Sequence, residues 1–407
     1  MQQARSLVGT SRTFFYYHRL DFPSSSGQTI QVLRDYHALA CRGHAVHAVY
    51  RSRTPLGNAE VEAVLKTYGL AVTPGFDIHA LTSDRTGRRH MRRLAADLAG
   101  RAAGQFFLVT RTMDGAADAL RLRRHLDRGA RTKVLLELHE TAIPHMVYRE
   151  QGRRLRAFLS RWQERRVFYS VDGIICTVGS QRVLLDRLFP GHAVAVVLPN
   201  GVPLEAYGAL PGARPDDGFV HLRYAGQLNA WKNTGIMIEA LRLLPERVVL
   251  DIAGGKVGEE GQTQESLMAL ARRHGVGARL RYLGFVLPAE VPRFLAGADV
   301  LLLPLGNNAQ SRYFTSPMKL FEYAASGVPM VVTRQPTTES LVEEEVHALM
   351  AAPGSAGDLA AAIRRLLADP ALGNRLAAKA REWAAQYSCA ERARRYEQFL
   401  VTLTQTA

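Results

Sequence analysis

The chain has 407 residues, 47% of them hydrophobic and 22% charged, which is too long for one ordinary core and too apolar for a disordered polymer. Its three cysteines, Cys41, Cys176 and Cys389, are far apart and form no CxxC pair, so neither a disulfide framework nor a zinc site is suggested and a reducing compartment is expected. The net charge of +15 is lopsided, since residues 1–200 hold 30 Lys and Arg against 16 Asp and Glu and leave 22 against 21 for the remainder.

In chain order, apolar runs of strand length alternate with amphipathic helical stretches. The first half offers TFFYYH (Thr13 to His18), AVHAVY, FFLVT, KVLLELH, GIICTV and AVAVVLP as strands, and the second offers LRYAG, VVLDIAG, LRYLGF, VLLLP and PMVVT. Such alternation predicts an α/β chain with two doubly wound, Rossmann-like domains facing across a cleft. The domains are expected at 1–200 and 219–385, joined by a Pro- and Gly-rich linker over 201–218. A last helix, 386–407, packs on the second domain or crosses back to the first. The two densest basic stretches, RTGRRHMRR (Arg85 to Arg93) and REQGRRLRAFLSRWQERR (Arg149 to Arg166), both read as helical. They suit anionic lipid or nucleic acid, although a solvated Arg-rich face explains them equally well. No apolar run reaches the roughly 18 residues of a membrane span, and MQQARSLVGTSR lacks the apolar centre of a signal peptide, so a cytoplasmic protein is expected.

Neither GxxxxGK[ST] nor GxGxxG is present. After the first strand a Ser-rich loop instead enters a helix at Ser26, Gly27 and Gln28, where backbone N–H groups can approach an anion or a sugar hydroxyl; a plain helix cap is the simpler alternative. The stretch TSPMKLFEYAASGVPMVV, Thr315 to Val332, is more informative. Ser316 reads as an N-cap and Pro317 as the first helical residue, which leaves the amides of Met318 and Lys319 without intrahelical partners. Glu322 falls on the same face one turn deeper. A diphosphate at the helix opening and a ribose on the carboxylate would use both features, while a surface Lys319–Glu322 pair is the bland alternative. Gly327 and Pro329 end the helix. Upstream, in YAGQLNAWKNTGIMIEALRLL, Lys232 follows a strand of the same sheet and can stabilise a leaving diphosphate.

With these stretches in order, together with VDGIICTVGSQRVLLDRL and VVLPNGVPLEAY, the chain resembles glycosyltransferase family 4, whose members have the GT-B fold. The match covers roughly Val171 to Ala385 well, and the first domain loosely, through SSSGQTIQVLRDYHALACRGHAV and LLELHET. The resemblance implies a retaining glycosyltransferase that needs no cofactor or metal. It would move a sugar from a nucleotide-sugar, UDP- favoured over GDP-, to a glycan, lipid-linked or small-molecule acceptor. Lys232 matches the phosphate lysine and Glu322 the second glutamate of a paired motif, which holds the ribose. Gly226, Gln227, Gly254, Gly255, Phe285 and Val286 match donor loops, the last four acting mainly through backbone around the base. His139, after KVLLEL and before Glu140, matches a polar strand-end residue near the reacting carbon. The sequence departs twice. Phe314 stands at the position of the first glutamate, ahead of Thr315, Ser316 and Pro317, and Gln227 replaces an arginine whose charge Lys319 or Arg312 would supply. Two alternatives are kept, a nucleotide-sugar-binding protein without turnover and a basic nucleic-acid-binding protein. Against the latter, no nucleic-acid motif is found and the basic residues are not interleaved with exposed aromatics. The basic first half would then rest on the inner face of the cell membrane.

Overall fold

The computed structural model describes residues 11–405 apart from 25, 53–55, 83, 127–130, 140–142, 209, 211–215 and 256–262, with backbone only for 18–21. Glu140 and Thr141, the last residues of the quoted LLELHET, lie outside the described residues, as do Ser25 and part of the linker.

Two parallel sheets organise the chain. The first contains β1 (Thr13–Asp21), β2 (Ala45–Arg51), β3 (Phe76–Leu81), β4 (Phe106–Thr110), β5 (Thr132–Leu138), β6 (Gly173–Cys176) and β7 (Ala195–Val197), in the order β3-β2-β1-β4-β5-β6-β7. The second contains β8 (Val220–Ala225), β9 (Val248–Ala253), β10 (Leu280–Gly284), β11 (Val300–Leu303), β12 (Met330–Thr333) and β13 (Leu349–Ala351), in the order β10-β9-β8-β11-β12-β13. The central strands are buried on both faces and mostly apolar, as VVLDIA and FFLVT show, because helices cover both sides of a parallel sheet. In each sheet the order reverses beside the first strand, at β1/β4 and at β8/β11. That is where open parallel sheets leave a crevice beyond their carboxyl ends.

Strands β3 and β13 escape the apolar-run criterion. FDIHAL is an edge strand with two polar residues among its six, and LMA is only three residues long. The second basic stretch is two helices, Pro144–Glu150 and Arg154–Phe168, because Gly152 adopts a left-handed φ of 73° between them.

The linker is tied to the last helix. The Val202 amide donates to the Tyr387 carbonyl at 2.9 Å and the Cys389 amide to the Val202 carbonyl at 3.0 Å. From there the helix Cys389–Gln405 returns to the first domain, where Tyr396, Phe399, Leu400 and Leu403 share a core with Phe14 and Tyr36.

Candidate active site in the interdomain cleft

The helix Met318–Ser326 opens at the floor of the cleft. Pro317 has ψ 109°, which holds the chain extended for one residue more than the sequence implies, so Pro317 occupies the cap position and Met318 is the first helical residue. Ser316 therefore does not cap: its hydroxyl is buried and makes no hydrogen bond, while its carbonyl accepts from Asn200 Nδ2 at 2.8 Å. By helix geometry the amides of Met318 and Lys319 lack intrahelical acceptors, whereas that of Leu320 reaches the Pro317 carbonyl at 2.9 Å. An unpaired hydroxyl beside two unspent amides is a site for an anion. Gly327 ends the helix at φ 70°.

One turn deeper, Glu322 is not a surface residue, being 3% exposed. Lys319 Nζ lies 2.6 Å from one carboxylate oxygen, and Arg34 Nη1, from the first-domain helix Gly27–Cys41, lies 2.8 Å from the other. Burial alone would raise its pKa, but the two cations outweigh burial and hold the carboxyl at about 2. A carboxylate offers about four acceptor positions, so two remain for a ligand.

Two adjoining hollows collect the residues singled out from the sequence. One, of about 120 Å³, is lined by Gly27, Gln28, His139, Gly226, Gln227, Lys232, Phe314 and the segment Ser316 to Lys319. The other, of about 90 Å³, is lined by Gly226, Gln227, Gly254, Gly255, Phe285, Val286, Met318, Lys319 and Glu322. Lys232 sits in the turn Ala230–Lys232 after β8, its Nζ 3.4 Å from the Gln227 carbonyl and 5.3 Å from the centre of the Trp231 ring. The glycines are required sterically. Gly254 has φ 131°, and a Cβ there would stand 2.0 Å from the Gly226 carbonyl oxygen.

Across the cleft, His139 follows β5. Burial and the adjacent Arg111 guanidinium push its pKa down to about 3 against the pull of Glu137, whose carboxylate is 3.1 Å from Nε2. His139 is thus neutral at physiological pH and touches Arg111, which also donates to the Gln28 carbonyl at 3.1 Å. Glu137 is in turn paired with Arg392 of the last helix, which lies 3.2 Å from Asp35 as well. Ser26 does cap its helix, accepting from the Gln28 amide at 3.3 Å, so that amide is spent.

Two further expectations need correction. Arg312 turns toward Glu150 at 3.8 Å and does not line either hollow. Position 314 carries no acid, as its phenylalanine already implies, and Phe314 is fully buried against first-domain residues with its carbonyl accepting from Gln181 at 2.9 Å. The basic helix Arg154–Phe168 does expose aromatics, with Phe158 and Trp162 at 72% and 64%. Three residues went unremarked in the sequence: Arg34, Arg111 and Asn200. Arg34 and Asp35 sit in the middle of a helix that also carries Gln28, Thr29, Gln31 and His37, and Arg111 directly follows the buried strand FFLVT, so only the position of Arg111 at a strand end was a local signal.

A groove of about 710 Å³ continues from His139 and Trp231 past Arg156, Leu159 and Gln163 to the surface. Residues 214–383 match the family model for glycosyl transferases group 1. The matched segment is essentially the second domain, which carries Lys232 and Glu322. Among curated proteins, the chain is 31% identical over 215 residues to a glycogen synthase of Mycobacterium tuberculosis, covering 52% of this chain and 49% of that protein. It is 27% identical over 230 residues to a D-inositol 3-phosphate glycosyltransferase of Saccharomonospora viridis, covering 55% and 49%. The chain thus spans about half the length of the curated relatives it matches. Whole-chain likeness comes from solved structures. Sucrose-phosphate synthase from Thermosynechococcus elongatus superposes with TM-score 0.77 at 18% identity, covering 98% of this chain and all of that one. Anabaena HepE in complex with UDP and glucose gives 0.73 at 17%, covering 96% and 100%. Both domains and their arrangement are those of the GT-B fold.

Proposed function

We propose that the protein is a retaining glycosyltransferase of family 4 that takes a nucleotide-diphosphate sugar in the second domain and an acceptor against the first. The observation that carries this reading is the convergence of Lys232, the unpaired Ser316 hydroxyl and the start of the helix Met318–Ser326 on one hollow, with the ionised Glu322 beside it.

In this reading the diphosphate lies on the helix opening, the ribose hydroxyls donate to the two remaining acceptor positions of Glu322, and the base rests by Gly254, Gly255, Phe285 and Val286. As the bond from the sugar carbon to the diphosphate oxygen breaks, negative charge grows on that oxygen. Lys232 and the helix amides meet it without rearrangement, and no metal is called for. The acceptor oxygen bonds to the same face of that carbon, and its proton passes to the departing phosphate oxygen. His139, being neutral, orients a sugar hydroxyl by hydrogen bonding. Complexes of Anabaena HepE with UDP and UDP-glucose support UDP as the nucleotide.

The acceptor would be lipid-linked and reached at an anionic membrane. Leu155, Phe158, Leu159 and Trp162, spaced i, i+3, i+4 and i+7, are all more than half exposed on the helix Arg154–Phe168 at the lip of the groove. The single acid of that helix, Glu164, is buried against His145, which leaves the arginines to face outward. No helix among the described residues is long and apolar enough to cross a membrane. Incubation with UDP-, GDP-, ADP- and dTDP-sugars should show slow donor hydrolysis for one nucleotide class, UDP by this proposal. Tight binding with no hydrolysis or transfer under any condition would leave the binding protein without turnover.

A further inference from the structure

We propose that His47, Asp77 and His79 form a binding site for one zinc-class divalent cation at the edge of the first sheet, apart from the cleft. Strands β2 and β3 pair in parallel, with His47 opposite Asp77 and Val49 opposite His79. Alternate residues of a strand share a face, so Asp77 and His79 project together and meet His47 from the neighbouring strand.

His47 Nδ1 is 3.3 Å from His79 Nε2 and 3.2 Å from Asp77 Oδ2, and one ligand atom from each residue lies within 4.8 Å of the others. In a tetrahedral zinc site with bonds of about 2.0 Å, neighbouring ligand atoms stand about 3.3 Å apart. Two of the three edges therefore already have the length such a cation sets. Hydrogen bonding alone serves the cluster less well, because a single proton on His47 Nδ1 cannot satisfy both the carboxylate and the second imidazole, whereas one cation can.

Two imidazoles with one carboxylate suit zinc and its transition-metal neighbours; magnesium and calcium prefer all-oxygen sites. The His47 side chain is 12% exposed and that of Asp77 57%, so the site opens on one side, toward an entry path and a fourth, water ligand. A bound cation would pin β3, the outermost strand among the described residues, to its neighbour β2.

The test is isothermal titration of the chelator-treated full chain with Zn²⁺, repeated with Asp77→Asn, His79→Gln and Cys41→Ser. Cys41 is the control because its Sγ lies 3.7 Å from His37 Nδ1, a rival pair for zinc. One equivalent should bind to the wild type and to Cys41→Ser, with affinity at least about tenfold weaker in the other two. Asp77→Asn, at an exposed position, should keep the metal-free melting temperature, which separates lost ligation from lost folding. The proposal is overturned if the wild type binds no zinc, if Asp77→Asn and His79→Gln bind as tightly as wild type, or if Cys41→Ser removes the binding.

Discussion

At the scale of single residues, the chemistry falls to Lys232, Ser316, Glu322 and His139. Removing one preorganised donor from developing negative charge typically costs about 10²–10³ in kcat, and Lys232→Ala is expected to lie in that range with any active donor. Ser316→Ala removes only a hydroxyl and should weaken nucleotide binding about tenfold, a loss of about 1.4 kcal/mol. His139 makes a separate prediction through its protonation state. With its pKa pushed down to about 3, the imidazole is neutral at pH 5 and above and becomes charged only as the pH falls through 3. The pH–rate profile should therefore contain no limb near 6.5 from this group. A limb there that disappears in His139→Asn would contradict its assignment as a neutral positioning group.

At the scale of elements, glycine turns and helix ends carry the site. Gly254→Ala would force a Cβ against the Gly226 carbonyl from a backbone conformation that L residues avoid, at a cost of about 1–3 kcal/mol. A lowered melting temperature together with weakened nucleotide binding is the expected result. The helix Arg154–Phe168 gives an independent readout: Phe158→Ser with Trp162→Ser should abolish co-sedimentation with anionic vesicles at low salt and leave the melting temperature unchanged, because both side chains are exposed. Elements of this kind differ in how far the sequence exposes them. The helix at Met318 and the strands flanking it were legible because a Ser-Pro start, a Gly-Pro stop and long apolar runs are local signals. The exact cap was not, since Pro317 can either open a helix or precede one. Strand β3 was hidden by its edge position, and the role of Phe314 by contacts from a first-domain helix more than a hundred residues earlier in the chain.

At the scale of the whole molecule, two buried ion-pair networks join elements distant in sequence. Arg34 with Glu322 joins the two domains, and Arg392 with Asp35 and Glu137 anchors the last helix. Arg392→Ala would leave two buried carboxylates uncompensated and should cost about 3–5 kcal/mol. The Glu322 carboxyl lies below its ordinary value of 4.5, at about 2, so its contribution is fully present above pH 4.5 and is lost as the pH falls toward 2. The linked stability is about 3 kcal/mol, and Arg34→Met should make the decline of stability below pH 4.5 shallower. Neither Arg34 nor Arg111 could be assigned from the sequence, because their partners come from another domain or another strand. The donor site is tested most directly by nucleotide-induced stabilisation. Melting curves of the wild type, Lys232→Ala and Glu322→Gln, each with and without a panel of nucleotide sugars, should show a clear rise for the wild type with one nucleotide, UDP by this proposal, and loss of most of that rise in both variants. Equal shifts in all three proteins would place the nucleotide elsewhere and remove the donor-site assignment.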